Sequence, residues 1–107
     1  DLVITGGENV WPEQLEAILV GHPAVAEVMV RGVDDPDWGQ LVEAVVVPAG
    51  GHVPALDDLR AFVKERHPAF LAPRRLVLAD ALPRTSLGKL RRTASSNEDP
   101  ADGNQTG

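Results

Sequence analysis

Residues 25–47 of this 107-residue chain read Val-Ala-Glu-Val-Met-Val-Arg-Gly-Val-Asp-Asp-Pro-Asp-Trp-Gly-Gln-Leu-Val-Glu-Ala-Val-Val-Val. Valine dominates both ends of this stretch, whereas residues 34–39 are dense in Asp, Pro and Gly, which form turns. The pattern predicts one strand over residues 25–33 and a second over residues 41–47. Because the segment between them is too short for a helical crossover, we expect the two strands to pair antiparallel.

Helices and further strands are predicted on both sides of this hairpin. Upstream, residues 2–5 predict a short strand that two glycines end. Pro12 then begins a helix, because its fixed φ and missing N–H suit the first helical position. Downstream, residues 57–67 predict a second amphipathic helix and residues 75–79 a further strand. The helical positions expected to be buried are Leu15, Ile18, Leu19, Leu59, Phe62 and Val63. The order β, α, β, β, α, β predicts an α+β fold in which helices flank a small mixed or antiparallel sheet.

One folded domain is predicted over residues 1–92, followed by a disordered tail over residues 93–107. The tail contains no large apolar side chain, so it cannot bury enough surface to offset the entropy of ordering it. The chain starts at Asp1 and enters an apolar strand directly. We therefore expect it to be a piece of a longer protein.

The charge of the chain argues against a general nucleic-acid-binding function, because phosphate backbones select basic surfaces and the net charge is −6. Six of the ten basic residues nevertheless lie within residues 74–92, where Asp80 is the only acidic residue. That stretch therefore carries a charge of +5. Its cations either face a small anion or form a solvated rim.

The sequence lacks the residues and patterns that would indicate disulfides, a membrane span, a secretion signal or a metal site. The chain has no cysteine, which excludes disulfides and thiolate chemistry. No run approaches the roughly 18 apolar residues of a membrane span, and the start has no secretion-signal pattern. We expect a soluble, cytoplasmic protein without a membrane span. The three histidines have no metal-ligand spacing, so no metal site is predicted.

A loop near the end of the predicted domain is the first candidate for chemistry. Residues 82–89 read Leu-Pro-Arg-Thr-Ser-Leu-Gly-Lys, with Gly88 beside Lys89. This is not a phosphate-binding P-loop, since Pro83 replaces its first glycine and Leu90 its hydroxyl residue. The lysine either swings toward an anion or is an ordinary surface lysine.

Two glycine-containing turns are the other candidates. Gly6 and Gly7 permit positive φ and close approach of a ligand to the backbone, although a plain tight turn explains them equally well. Trp38 lies in the turn between the two central strands. Its ring either folds back onto the core or offers a stacking face to an aromatic ligand such as adenine.

Together these motifs resemble the C-terminal domain of the adenylate-forming superfamily, which includes acyl- and aryl-CoA synthetases, peptide-synthetase adenylation domains and luciferases. The resemblance extends over residues 1–92. Its motifs are Asp1-Leu-Val-Ile-Thr-Gly-Gly-Glu-Asn-Val-Trp-Pro12, His22-Pro-Ala-Val-Ala-Glu27, Asp37-Trp-Gly-Gln40, Pro73-Arg74, Leu82-Pro-Arg-Thr85 and Gly88-Lys89. Within the superfamily, o-succinylbenzoate–CoA ligases and fatty-acid–CoA ligases are the groups it favours.

The resemblance implies an ATP-dependent acid–CoA ligase. Such enzymes join a carboxylate to AMP with Mg²⁺ and ATP, rotate the C-terminal domain, and then form a thioester with coenzyme A. It implies that Lys89 is the catalytic residue, bridging the substrate carboxylate and the α-phosphate, and that Thr85 and Gly88 shape its loop. Asp1 matches the hinge of the rotation. ATP, Mg²⁺ and most of coenzyme A would be bound by a partner N-terminal domain, so this domain alone is expected to be inactive.

The resemblance also implies a set of coenzyme A contacts. Gly6, Gly7 and Glu8 match the loop that lines the pantetheine tunnel, and Trp38 matches an aromatic residue that stacks on the coenzyme A adenine in some ligases. Two more matching positions are Phe70 and Arg74.

One departure from the family pattern concerns the phosphate contacts. Leu71 stands where many relatives have lysine, and Ala72 where some have arginine. Arg74, Arg75 or the partner domain would then have to bind the coenzyme A phosphates.

The sequence leaves two alternatives to an acid–CoA ligase. One is an adenylation domain that loads a carrier protein, and the other is a polyanion-binding module.

Overall fold

The computed structural model describes residues 1–83, which form a five-stranded sheet with two helices packed against it. In chain order the elements are β1 (Val3–Thr5), β2 (Glu8–Val10), α1 (Pro12–Leu19), β3 (Val25–Asp35), β4 (Gly39–Pro48), α2 (Leu56–Lys64), a 3-10 turn (Ala69–Leu71) and β5 (Arg75–Leu78). The predicted end of the domain at residue 92 and the predicted tail over residues 93–107 lie outside the described residues.

Strand β4 is the centre of the sheet and has neighbours on both sides. On one side it pairs antiparallel with β3 along the length of both strands. On the other side it pairs antiparallel with β1 at a single point, Thr5 opposite Gly39, and parallel with β5. The sheet is therefore mixed. This confirms the predicted α+β class and the antiparallel pairing of the central strands.

The β3–β4 hairpin is longer than the sequence predicts. The turn-forming residues 34–39 predict a loop, but β3 continues through Asp34 and Asp35 and β4 begins at Gly39. The ladder continues because Asp34 pairs with Gln40 and Asp35 with Gly39. Backbone pairing across the hairpin thus outweighs the low strand preference of aspartate, and only residues 36–38 form the turn.

Strand β2 was not predicted, and the order β, α, β, β, α, β is wrong in omitting it. Gly6 and Gly7 have φ of 56° and 84° and form a two-residue hairpin turn, a geometry that requires left-handed backbone at both positions. The chain therefore reverses and pairs β2 with β1. The pattern of β2 gave no signal, because Val10 is the only apolar residue among its three.

The helices pack on one face of the sheet and share a single core. Helix α1 begins at Pro12 as predicted, whereas α2 ends at Lys64, three residues before the predicted His67. Ile18 and Phe62 are half-buried rather than buried as predicted. The Phe62 ring lies edge-on to that of His22 at a centroid distance of 5.0 Å. The core cluster consists of Val3, Val10, Leu15, Leu19, Val25, Val28, Val30, Val42, Ala44, Val46, Leu59, Val63, Leu71 and Ala72.

A buried carboxylate joins three adjacent strands on the other face. Glu43 of β4 is only 3% exposed and accepts hydrogen bonds from Arg31 of β3 at 2.6 Å and Arg75 of β5 at 3.1 Å. These residues are direct cross-strand neighbours in the ladder. The arrangement compensates the buried charge and ties the short strand β5 to the sheet.

Candidate functional site

The tips of the two hairpins meet at one end of the sheet. The backbone N–H of Gly6 donates a hydrogen bond to the carbonyl of Trp38 at 2.9 Å. A Cβ atom at Gly6 would lie 2.9 Å from Cε3 and 3.0 Å from Cζ3 of the Trp38 ring. The indole therefore rests directly on the glycine backbone, and any larger residue at position 6 would push it away.

Asp35 holds Trp38 from the other side of the turn. Its Oδ2 atom accepts the backbone N–H of Trp38 at 2.9 Å and that of Asp37 at 3.0 Å. Gly39 follows with φ of 80°, which lets the chain enter β4 directly after the tryptophan. The position of Trp38 is thus fixed by hydrogen bonds on both its N–H and its carbonyl.

The ring of Trp38 is exposed on the surface and is contacted by an arginine. Trp38 is 40% exposed, and Cζ of Arg74 lies 4.0 Å from the centroid of its ring, which is a cation–π contact. The backbone N–H of Arg74 is anchored by the carbonyl of Val42 at 2.8 Å. Within residues 1–83 its guanidinium has no hydrogen-bond or ion-pair partner.

The structure therefore brings together three of the residues singled out in the sequence, namely Gly6, Trp38 and Arg74. They come from three different loops and meet only in the folded chain. An aromatic face suits a purine base, and a guanidinium with unused N–H donors suits a phosphate. The group therefore has the chemistry to bind a small ligand that carries a purine base and a phosphate.

The other predicted residues make no polar or ring contact with this group in the described part of the chain. Gly7 faces open space, and Glu8 is exposed on β2. Phe70 is 36% exposed in the 3-10 turn, which lies beside β2. Asp1 is exposed before β1. Lys89, Thr85 and Gly88 lie outside the described residues.

The departures at positions 71 and 72 have a structural consequence. Leu71 is 4% exposed and Ala72 is 1% exposed, and both belong to the hydrophobic core. In this chain neither side chain is available to a phosphate. Arg74 is thus the first cation after them, and it lies on the surface.

Two residues of the site have roles that the sequence did not predict. Asp35 positions Trp38, and an Asp before a Pro-Asp pair is a known signal for side-chain bonding to turn N–H groups. Gln40 bridges β1 and β4, because its Oε1 atom accepts the N–H of Ile4 at 2.9 Å where main-chain pairing stops. No local pattern predicts this second contact.

The described residues form neither a metal site nor a membrane-spanning helix. Among residues 1–83 no group of three or more His, Asp or Glu side chains has an arrangement that can hold a metal ion. None of the helices there is long and apolar enough to cross a membrane.

Comparisons of the chain with protein families and with curated proteins point to one family. Residues 14–89 match the model of the family described as AMP-binding enzyme C-terminal domain. The chain is 44% identical to the medium/long-chain-fatty-acid–CoA ligase FadD8 of Mycobacterium tuberculosis, over 83% of this chain and 17% of the relative. It is 45% identical to the 2-succinylbenzoate–CoA ligase of Geobacillus kaustophilus, over 86% of this chain and 19% of the relative.

Solved structures show the same fold. An acyl-CoA synthetase from Brucella canis matches with a TM-score of 0.79 at 34% identity, over 86% of this chain and 18% of that protein. The o-succinylbenzoate CoA synthetase of Bacillus subtilis, in complex with its acyl-adenylate intermediate, matches with a TM-score of 0.77 at 38% identity, over 86% and 19%. The chain thus spans less than a fifth of the length of these proteins. It belongs to the family of AMP-binding enzyme C-terminal domains.

Proposed function

We propose that this chain is the mobile C-terminal domain of an ATP-dependent acid–CoA ligase. The observation that carries the proposal is the group formed by Gly6, Trp38 and Arg74. It offers an exposed aromatic ring beside a cation that has no hydrogen-bond or ion-pair partner for its guanidinium within residues 1–83. The CoA ligases among the relatives support it. The substrate is a small carboxylate, which reacts first with ATP and then with coenzyme A.

Lys89 is the catalytic residue in this proposal. It lies in the segment that the family model matches. Joining a carboxylate to an α-phosphate brings two anions together, and negative charge builds on the phosphate in the transition state. A cation about 4 Å away contributes roughly 4 kcal/mol at an effective dielectric constant near 20. Thr85 and Gly88 would shape the loop that presents this lysine.

The coenzyme A contacts follow from the positions of the described residues. The Trp38 ring would stack on the adenine, and Arg74 would bind a phosphate. Gly6 and Gly7 would let the pantetheine pass close to the backbone because they lack a β-carbon. Glu8 and Phe70 would border the passage. Coenzyme A would supply the thiol that accepts the acyl group.

The partner in this proposal is the large N-terminal domain of the same enzyme. That domain would hold Mg²⁺, ATP and the acyl pocket, and the two domains would rotate about Asp1. A few residues suffice for such a hinge. The domain described here would then be inactive alone. A cytoplasmic location is part of the proposal, because the reaction consumes ATP and coenzyme A, and cell fractionation would test it.

The experiment that tests the proposal uses Lys89→Ala in the full-length enzyme. Adenylate formation should fall by about 10²–10³, the usual effect of removing one preorganised electrostatic group, while thioester formation from supplied acyl-AMP should largely survive. Lys64→Ala, at the exposed end of α2, is the matched control and should leave both half-reactions intact. Near-normal adenylation in Lys89→Ala would show that this lysine is not the catalytic residue.

A second candidate acceptor is a carrier protein. The chain is 41% identical to the fatty acid–[acyl-carrier-protein] ligase ScoC of Streptomyces coeruleorubidus. Offering the full-length enzyme coenzyme A and a pantetheinylated carrier protein separately distinguishes the two. We expect faster thioester formation with coenzyme A, because Trp38 and Arg74 suit its adenosine phosphate. The reverse preference would favour the carrier-protein function.

A further inference from the structure

The Trp38 ring, which the proposed function assigns to adenine, is already contacted by a side chain of the same protein. The guanidinium carbon of Arg74 lies 4.0 Å from the ring centroid, which is the distance of a stacked group. A base that stacks on this face needs the space that the guanidinium takes up. The ligand and Arg74 therefore compete for one surface.

We propose that Arg74 is an internal occupant of the Trp38 ring face, which the adenine of coenzyme A displaces, and that the displaced guanidinium then binds the 3′-phosphate of the same ligand. This inference rests on the proposed function. It makes Arg74 a specificity-determining residue for the phosphorylated form of the acceptor.

The ring is the fixed part of the pair. The backbone of Trp38 is hydrogen-bonded through its N–H to Asp35 and through its carbonyl to Gly6. The backbone of Gly6 also abuts the six-membered ring, at the distances given for its Cβ position. A shift of the indole toward the β1–β2 hairpin would therefore meet backbone atoms, which cannot yield as a flexible side chain can.

The arginine is the movable part. Its backbone is anchored to Val42, but the ring contact is the only interaction of its guanidinium with the described residues. An exposed cation–π contact is weak, so a stacking base can replace it. The neighbouring Arg75 cannot take this role as readily, because its guanidinium is bound to the buried Glu43 at 3.1 Å.

Displacement has opposite consequences for two related ligands. Coenzyme A removes the guanidinium from the ring but offers it a 3′-phosphate, which forms charge-assisted hydrogen bonds with arginine. Dephospho-coenzyme A displaces the same guanidinium and offers no phosphate in return at that position. Arg74 should therefore favour the first ligand and oppose the second.

The experiment measures KM for both ligands in the thioester-forming half-reaction of the full-length enzyme and its Arg74→Ala variant. KM for coenzyme A should rise about tenfold or more, since one charge-assisted hydrogen bond is lost. KM for dephospho-coenzyme A should fall about two- to fivefold, since the competitor for the ring is gone. The rate constant kcat should stay near its original value for both. Arg66→Ala, an exposed arginine after α2, is the control and should change neither KM.

A double variant tests whether the fall in KM for dephospho-coenzyme A depends on the Trp38 ring. In a Trp38→Leu background, Arg74→Ala should no longer lower KM for dephospho-coenzyme A, because there is no ring face to release. A fall that persists without the ring would overturn the inference. So would an unchanged or higher KM for dephospho-coenzyme A in Arg74→Ala alone, which is the result expected if the base uses the other ring face.

The outcomes also separate this inference from the proposed function. If the original enzyme forms no thioester with coenzyme A, the proposed function is wrong. If it forms the thioester and only the fall in KM for dephospho-coenzyme A is missing, the function stands and the displacement by the base is wrong.

Discussion

At the residue scale, the molecule depends on backbone conformations that only glycine adopts easily. Gly6 and Gly7 both have positive φ, but their surroundings differ. A β-carbon at Gly6 would collide with the Trp38 ring, whereas one at Gly7 would meet open space. Gly6 therefore serves the turn and also the packing of the Trp38 ring, whereas Gly7 makes no contact with that ring.

Replacing these glycines separates the two roles. Gly7→Ala should lower the free energy of unfolding by about 1–2 kcal/mol, the penalty of left-handed backbone for a residue with a β-carbon. Gly6→Ala should lose about 1–3 kcal/mol more, because the new methyl group overpacks against the indole. Urea unfolding followed by circular dichroism measures both. Gly50→Ala, with no positive φ and no neighbour within 4 Å, is the control. Equal losses at positions 6 and 7 would contradict the close contact with Trp38.

At the element scale, polar side chains connect neighbouring elements of the fold. Gln40 joins β1 to β4 beyond their single paired position. Glu16 of α1 accepts the backbone N–H of Val30 on strand β3 at 2.8 Å. Glu43 joins β3, β4 and β5 through its two arginines. Polar residues that seem out of place in the hydrophobic pattern are therefore the ones that connect the elements.

The Glu43 cluster predicts unequal effects of its members. Glu43→Gln should lower the free energy of unfolding by about 3 kcal/mol, because it removes the buried charge that both arginines share. Arg75→Ala should lose at most about 1 kcal/mol, since that arginine is 54% exposed and its ion pair is screened by water. Chemical denaturation of both variants under one condition makes the comparison. A Glu43→Gln loss no larger than that of Arg75→Ala would show that the carboxylate is not a structural centre.

At the scale of the whole molecule, the net charge and the position of one arginine together indicate what kind of anion the protein can bind. The net charge is −6, and yet Arg74 reaches the surface beside an aromatic ring. One cation placed next to a stacking surface suits a single small anion. A groove that follows a nucleic-acid backbone needs many phosphate contacts, which an acidic chain does not favour.

This distribution predicts no retention of DNA or RNA by the chain in a gel-shift assay at low salt. Binding to a polyanion becomes tighter as the salt concentration falls, so low salt is the condition under which a polyanion-binding module would be detected most easily. A basic single-strand-binding protein in the same gel shows that retention is detectable. A shifted band that disappears as salt is raised would support a polyanion-binding module instead.

Much of the fold was predictable, because local patterns govern it directly. The valine-rich strands on either side of an Asp-Pro turn predicted the β3–β4 hairpin, and Pro12 predicted the start of α1. Strand β2 and the 3-10 turn were missed. Only one of the three residues of β2 is apolar, and the three residues of the 3-10 turn are too few for a hydrophobic period to appear. The extra length of the hairpin was missed because cross-strand pairing, a non-local effect, outweighs the preferences of Asp34 and Asp35.

Motif order and periodicity are properties of the chain, so the family, the fold class and the candidate site residues follow from the sequence alone. How those residues are used depends on the folded structure. It packed Leu71 into the core, set Trp38 against Gly6 and placed Arg74 over the ring. The physical reason is that contacts between residues more than 30 positions apart depend on how strands pair and chains cross, which no local pattern encodes. A tryptophan that was either a core residue or a stacking surface is now an exposed ring with an arginine against it.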